Sequence, residues 1–393
     1  MSPILGATER AGPLFGLRRP DAPPGRPAEA YTAPTMTSPD ARPPEEAVNR
    51  DETVLVTGGS GFLGGWCLVD LLRAGYRVRT TVRDLSRESE VRAMVASEAD
   101  DRGRLSIVAA DLAGDRGWKE AVDGCDYVLH VASPFPPAQP KNPDELIVPA
   151  RDGTLRVLRA SLDAGVRRVV LTSSSAAVRN SGVALPPRPL TEEDWTDPAN
   201  PRLTPYARSK TIAELAAWDF VREADQVTRL AVVNPGAILG PVLGDDLSYS
   251  LQVIERMLKG MPGLPRLGFS FVDVRDVADL QIRAMAASEA GGERFLAAGR
   301  FLWLSEVAAI LRDHLGAAAA KVPARTVPNL LVRGMAMFDP GLRSVVGDLG
   351  QRVDYSNEKA HTRLGWSPRP TEETIVDCAR SLMEHGVGAV RAA

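Results

Sequence analysis

The feature that most constrains this chain is the passage VLVTGGSGFLGGWCLVDLLRAG at residues 54–75. A short run of apolar β-formers, 53–57, passes through a glycine turn into an amphipathic run beginning at Phe62. Gly58, Gly61 and Gly64 stand three residues apart. In such a turn one glycine allows the tight reversal, one lets backbone approach a phosphate, and one lets the helix pack closely on the strand. The helix that follows aims its free N–H groups and its positive end at an anion. The spacing predicts a dinucleotide-binding turn formed by Gly58, Gly61, Phe62, Leu63 and Gly64, with an ordinary glycine-rich turn as the alternative.

The alternation continues downstream. Runs 77–82, 104–108, 126–131, 167–172 and 228–233 read as strands, and segments 62–74, 86–98, 141–164 and 205–224 as helices. Strand–helix alternation implies βαβ units and a sheet buried on both faces. The expected fold class is α/β, a doubly wound parallel sheet of Rossmann type with a smaller C-terminal substrate-binding lobe. Residues 51–240 are expected to form the dinucleotide-binding domain, with some of its strands and helices drawn from 265–300. Residues 241–393 are expected to form mainly the substrate lobe, in which Met257, Met261, Met335, Met337 and Phe338 are candidates to line an apolar pocket or to pack as core.

Residues 1–50 read differently. They hold ten of the 31 prolines, and their six arginines are matched by six acidic residues. Such a segment buries too little apolar surface to offset its chain entropy, and a disordered extension is expected. The acidic residues argue against an organelle transit peptide, and no apolar run of secretory length follows the start. Met36 is an alternative beginning of the natural chain.

Composition enters as a filter. A formal charge of −3 gives no electrostatic case for nucleic acid or an anionic membrane. No stretch of 18 uncharged apolar residues occurs, so no membrane span is expected. Cys67, Cys125 and Cys378 lie far apart and make neither a disulfide framework nor a metal pair, which points to the cytoplasm. The four histidines show no zinc spacing, so no metal is expected. His130, ending an apolar run, reads as a core or cofactor-contact group. Neither a P-loop nor a G-x-S-x-G elbow is present. The sequence carries no indication of oligomeric state.

The second strand bears on the choice of cofactor. It ends in Thr81-Val82-Arg83-Asp84. Neighbouring residues on a strand face opposite ways, so one of the last two faces the ribose. Arg83 would pair with a 2′-phosphate and select NADPH, whereas Asp84 would bond the ribose diol and favour NAD. NADPH is the expected cofactor.

Farther on, Tyr206 and Lys210 open a helix four residues apart, on one face. A phenol titrates near a pKa of about 10, and an ammonium together with a positively charged nicotinamide would lower it. Upstream, a strand runs into Ser173-Ser174-Ser175, at the carboxyl edge where such sheets bind ligands. Taken singly, these are a surface pair and a serine-rich turn. In this order after a glycine turn, they assemble a hydride-transfer site.

The order of motifs resembles the extended short-chain dehydrogenase/reductases of the NAD-dependent epimerase/dehydratase superfamily, in particular the dihydroflavonol reductase, cinnamoyl-CoA reductase and bacterial aldehyde reductase group. The resemblance spans about residues 53–385. It rests on TGGSGFLG at 57–64, TVRD at 81–84, DL at 111–112, HVASP at 130–134, TSSSAAV at 172–178, YARSK at 206–210, NPGAILGP at 234–241 and FVDVRDVA at 271–278. It implies Ser174, Tyr206 and Lys210 as catalytic residues, with Ser175 as the neighbour competing with Ser174. It also implies that Asp111 and Leu112 flank the adenine, that Val131, Ala132 and Ser133 line the cofactor path, and that Pro235 and Ile238 lie on the nicotinamide side. The implied activity is NADPH-dependent, reversible reduction of a ketone or aldehyde on a small organic molecule. Arg179 stands where plant dihydroflavonol reductases carry Asn, which argues against a flavonoid. Ala207-Arg208-Ser209 replaces the aromatic, Cys-containing stretch of cinnamoyl-CoA reductases, which argues against a CoA thioester. Ser175-Ala176-Ala177 lacks the acidic pair of sugar-nucleotide dehydratases. An epimerase with tightly held NAD and a catalytically silent nucleotide-binding regulator are the alternative readings. Asp273 and Asp276 are expected to brace the sheet rather than act as paired acids.

Overall fold

The computed structural model describes residues 51–134, 142–244, 250–337 and 346–387. The expected disorder of residues 1–50 and the proposed pocket role of Phe338 lie outside the described residues.

The first half alternates as the sequence predicts: β1 (Thr53–Thr57), α1 (Phe62–Arg73), β2 (Arg77–Val82), α2 (Glu88–Ala96), β3 (Leu105–Ala109), α3 (Trp118–Val122), β4 (Tyr127–His130), α4 (Asp144–Asp163), β5 (Arg168–Thr172), α5 (Pro205–Glu223) and β6 (Leu230–Pro235). The short helix α3 is not among those read from the sequence. The second half adds β7 (Ala237–Leu239), α6 (Leu251–Lys259), β8 (Leu264–Pro265), β9 (Gly268–Asp273), α7 (Val274–Ala286), β10 (Arg294–Ala297), β11 (Phe301–Trp303) and α8 (Leu304–Leu315). It ends with β12 (Thr326–Val327), α9 (Asn329–Met335), α10 (Glu358–Leu364) and α11 (Thr371–Glu384).

Seven strands form one sheet in the order β10-β6-β5-β4-β1-β2-β3, and every pairing in it is parallel. The period of two along each strand sorts its side chains between two cores. Val54, Val56, Leu129, Val170, Ala231 and Val233 face α1, α2 and α7. Leu55, Val128, Val169, Leu171, Leu230 and Val232 face α3, α4 and α5. Each such fully buried Val or Leu side chain contributes about 2 kcal/mol of transfer free energy. The strand order reverses between β1 and β4, with α1 on one face and α4 on the other, and this opens a crevice at the carboxyl ends of those strands.

A third core joins α6, α8 and α11 to a small sheet of order β11-β9-β7. Met257 belongs to this core with Leu251, Ile254 and Leu258 on one face of α6, so it does not line a pocket. Met335 and Met337 are exposed instead. The chain after residue 268 serves both parts: α7 packs against the seven-stranded sheet, and β10 closes its edge. Asp273 caps α7 by accepting the Arg275 N–H at 2.9 Å, and Asp276 is held by Arg369 at 2.9 Å. Both carboxylates therefore brace α7. Trp366, fully buried beside them, donates its indole N–H to the Asp276 carbonyl at 2.8 Å.

Candidate active site

The glycine turn after β1 divides its labour among its residues. Gly58 takes a φ of +74°, and a Cβ there would stand 3.0 Å from the Cβ of Ala132 at the end of β4. A Cβ on Gly64 would lie 2.2 Å from the Gly58 carbonyl oxygen, so Gly64 sets the close seating of α1 on the turn. At Gly61 the nearest atom would be 3.4 Å away, which leaves space in front of the turn. Gly61 caps α1 without a side-chain hydrogen bond, and the first turn holds no acidic residue. Within this described turn, no side chain compensates the positive helix end at Phe62 and Leu63, an arrangement that suits an anion. Gly59 was not singled out from the sequence, yet its Cβ would fall 2.1 Å from the Thr80 hydroxyl of β2.

The neighbouring strand ends supply the rest of the crevice. Arg83 follows β2, is exposed, and has no hydrogen bond or ion pair among the described residues. Asp84 is engaged locally: it caps a short 3-10 helix by accepting the Ser86 N–H at 2.9 Å, and that bond holds its carboxyl below the usual range. Asp111, exposed after β3, accepts the Ala113 N–H at 2.9 Å, and Leu112 packs on Gly153 of α4. Val131, Ala132 and Ser133 are partly buried after β4, and the Ala132 N–H donates to the Thr57 carbonyl at 3.1 Å. Pro235 is buried at the end of β6. Ile238 on β7 packs against the same apolar core as Phe62 and Val131.

The polar residues converge at the ends of β5 and α5. Thr204 fixes the start of α5 by accepting the Ala207 N–H at 3.1 Å, with Pro205 in the first helical position. This presents Tyr206 to the turn after β5. Ser174 accepts the Ala176 N–H at 3.1 Å and hydrogen-bonds the Tyr206 phenol with its hydroxyl. Ser175 bonds Tyr355 instead, so the geometry separates the two serines. Arg179 is drawn away to Asp348 at 2.8 Å and Gln351 at 3.0 Å.

Desolvation pushes the phenol of Tyr206 above its ordinary value, and the Ser174 hydrogen bond pulls it back in part. The sequence suggests a phenol lowered by Lys210. In the structure the Lys210 ammonium donates to the Thr172 carbonyl at 3.2 Å, and burial of the phenol prevails. Lys210 itself is buried, which draws it down to about 8 against the opposing pull of Glu214. His130 is held near 3, first by burial and then by Lys210, and is therefore neutral. Its Nδ1 meets the Thr57 hydroxyl at 2.8 Å, while its buried Nε2 has no partner among the described residues.

Sequence reasoning missed the layer beneath these residues: Glu214, Asn234 and Arg294, all buried. The one available signal was a carboxylate four residues past Lys210, on the helix face that must turn inward.

Residues 54–298 match the NAD dependent epimerase/dehydratase family. A cinnamoyl-CoA reductase of Medicago truncatula is 38% identical over 272 residues, covering 67% of this chain and 81% of that protein. A cinnamoyl-CoA reductase of Petunia hybrida is 35% identical over 340 residues, covering 85% and 93%. Among solved structures, Gre2 of Candida albicans in complex with NADPH superposes with a TM-score of 0.68 at 26% identity, covering 85% of this chain and 99% of that one. With the match extending from β1 through β10, the chain belongs to the NAD dependent epimerase/dehydratase family.

Proposed function

We propose that this protein is an NADPH-dependent oxidoreductase that reduces a ketone or aldehyde on a small organic molecule. The observation that carries the reading is the approach of the Ser174 hydroxyl to the Tyr206 phenol, with Lys210 one helical turn away and donating to the Thr172 carbonyl, at the carboxyl edge beside an open glycine turn. The similarity to reductases over most of their length supports carbonyl reduction, and the Gre2 complex supports NADPH.

In this reading Gly58, Gly61, Phe62, Leu63 and Gly64 hold the pyrophosphate, and Arg83 takes the 2′-phosphate. Asp111 and Leu112 flank the adenine. Val131, Ala132, Ser133, Pro235 and Ile238 line the path to the nicotinamide. NADPH, when bound, supplies the hydride that reaches the carbonyl carbon. Tyr206 gives its proton to the carbonyl oxygen as general acid. A phenol raised by burial is fully protonated at neutral pH and ready for that step. Ser174 donates a hydrogen bond to the same oxygen and polarises it. Lys210 holds the nicotinamide ribose and offsets charge left on the phenol.

Residues 51–240, with elements from 265–300, serve as the cofactor domain, and 241–393 mainly as the substrate lobe. The partner is a small carbonyl compound rather than nucleic acid or a membrane. No described helix is long and apolar enough to cross a bilayer. Three buried, unpaired cysteines suit a reducing compartment, and the cytoplasm is the proposed location.

A Tyr206→Phe protein tests the roles. It should bind NADPH like the wild type by fluorescence titration, yet lose roughly a hundred- to ten-thousandfold in turnover against a panel of aldehydes and ketones. Near-wild-type turnover would remove Tyr206 from the chemistry.

A further inference from the structure

We propose that Glu214 is a positioning residue of this site, whose buried carboxylate locks the turn that presents Ser174 onto the helix that presents Tyr206 and Lys210, with Arg294 as its counterion. The inference rests on the roles just given to those three residues.

Glu214 lies one helical turn beyond Lys210 and two beyond Tyr206, and its side chain is fully buried. It gathers partners from four parts of the fold. One carboxylate oxygen accepts the Ser173 hydroxyl at 2.5 Å and the Asn234 amide at 2.8 Å. The other accepts the Arg294 guanidinium at 2.6 Å and the Trp218 indole at 3.4 Å. The same Asn234 amide donates to the Ser174 carbonyl at 3.1 Å. Residues 173 and 174, at the end of β5, are thereby tied to α5 through one carboxylate. Arg294 carries the tie outward: it donates to the carbonyls of Glu192 at 2.7 Å and Asp194 at 3.2 Å, and its guanidinium lies 3.5 Å from the centre of the Trp195 ring.

A buried ion pair is a weak stabiliser, because desolvation consumes most of its attraction. Its presence under reacting groups is better explained by placement, where an error of about 1 Å costs on the order of a hundredfold in rate. Charge acts in the same direction. Lys210 is faced by Tyr206 and Glu214 from its own helix, by neutral His130 from β4, and by Thr154 of α4 and Ser133 across a narrow cavity. Glu214 is the anion among them, and it opposes the burial that lowers Lys210.

Glu214→Gln keeps the shape and removes the charge. The first readout needs neither substrate nor cofactor: trace acylation of the lysines across a pH series, followed by peptide mass spectrometry. The Lys210 labelling midpoint should move to lower pH than in the wild type, while those of exposed Lys119, Lys259 and Lys321 stay put. The second readout is steady-state reduction, in which kcat should fall about ten- to a hundredfold with KM for the carbonyl changed by less than about threefold. Because the single variant strands the Arg294 charge, Glu214→Gln/Arg294→Met is made alongside it to restore thermal stability. The double variant should regain Tm without regaining kcat, and its Lys210 midpoint should stay low. An unmoved Lys210 midpoint in the single variant overturns the proposal, as does a double variant that recovers kcat together with Tm. A wild type that oxidises no NADPH would refute the reductase reading instead, and the labelling result would still decide the role of Glu214.

Discussion

Replacing Lys210 by methionine should make the protein more stable while removing its activity. Burial lowers Lys210 from 10.5 to about 8. At about 1.4 kcal/mol for each tenfold change in the protonation equilibrium, that lowering corresponds to roughly 3 kcal/mol spent on keeping the ammonium charged in the folded protein at neutral pH. Methionine fills a similar volume and carries no charge. It forfeits the hydrogen bond to the Thr172 carbonyl, a loss of about 1 kcal/mol. The expected net gain at pH 7 is about 2 kcal/mol. The sign with pH follows from linkage. The folded pKa lies below the unfolded one, so the unfolded chain binds more protons between pH 8 and 10.5, and wild-type stability rises across that window. The advantage of the variant is therefore complete below pH 8 and fades toward pH 10.5. Urea midpoints of both proteins at pH 7 and pH 10 measure this directly, and NADPH oxidation by the variant should be lost. A variant less stable than wild type at pH 7 would refute the reasoning, as would an advantage that does not shrink at pH 10.

Two further substitutions probe the cofactor crevice. Arg83→Ser should raise the NADPH Kd about ten- to a hundredfold and leave NADH binding nearly unchanged, because the guanidinium is the exposed cation at the end of β2; equal losses for both cofactors, measured by fluorescence titration, would contradict its pairing with the 2′-phosphate. Gly64→Ala places a methyl group 2.2 Å from the Gly58 carbonyl oxygen, so α1 must shift. NADPH affinity should fall at least tenfold and stability by about 1–3 kcal/mol, and an unchanged urea midpoint would show that the turn gives way easily.

Six of the seven strands were legible because each is a short run rich in β-branched and apolar residues between helices, the signature of burial on both faces. The seventh, β10, is the four residues RFLA with no β-branched side chain, and it carried too little pattern to be read as a strand. The limits of β1, β2 and the start of α5 agree with the runs read from sequence, since a glycine, a turn and a proline mark them. Local spacing also singled out Tyr206 and Lys210, which the structure sets beside the turn after β5. Met257 was harder to place, because a helix face packed against core and one lining a pocket carry the same apolar pattern. The Glu214 layer was invisible for a different reason. Its partners Ser173, Asn234 and Arg294 lie 41, 20 and 80 residues away in sequence and meet only when three parallel strands pair. Ser174 was preferred to Ser175 through the family resemblance alone, because their different partners, Tyr206 and Tyr355, are set by the fold.

The position of β10 has a consequence for biosynthesis. This edge strand pairs with β6 and brings Arg294 to the Glu214 carboxylate. A ribosome therefore exposes the glycine turn, the serines and the tyrosine helix long before the cation beneath them has been made. Until residue 294 emerges, the nascent chain cannot bury that acidic group at low cost, and its final interior must wait. Release of a product truncated just before β10 would leave a near-complete sheet with an unneutralised carboxylate inside it, a species suited to capture by chaperones or proteases rather than to turnover.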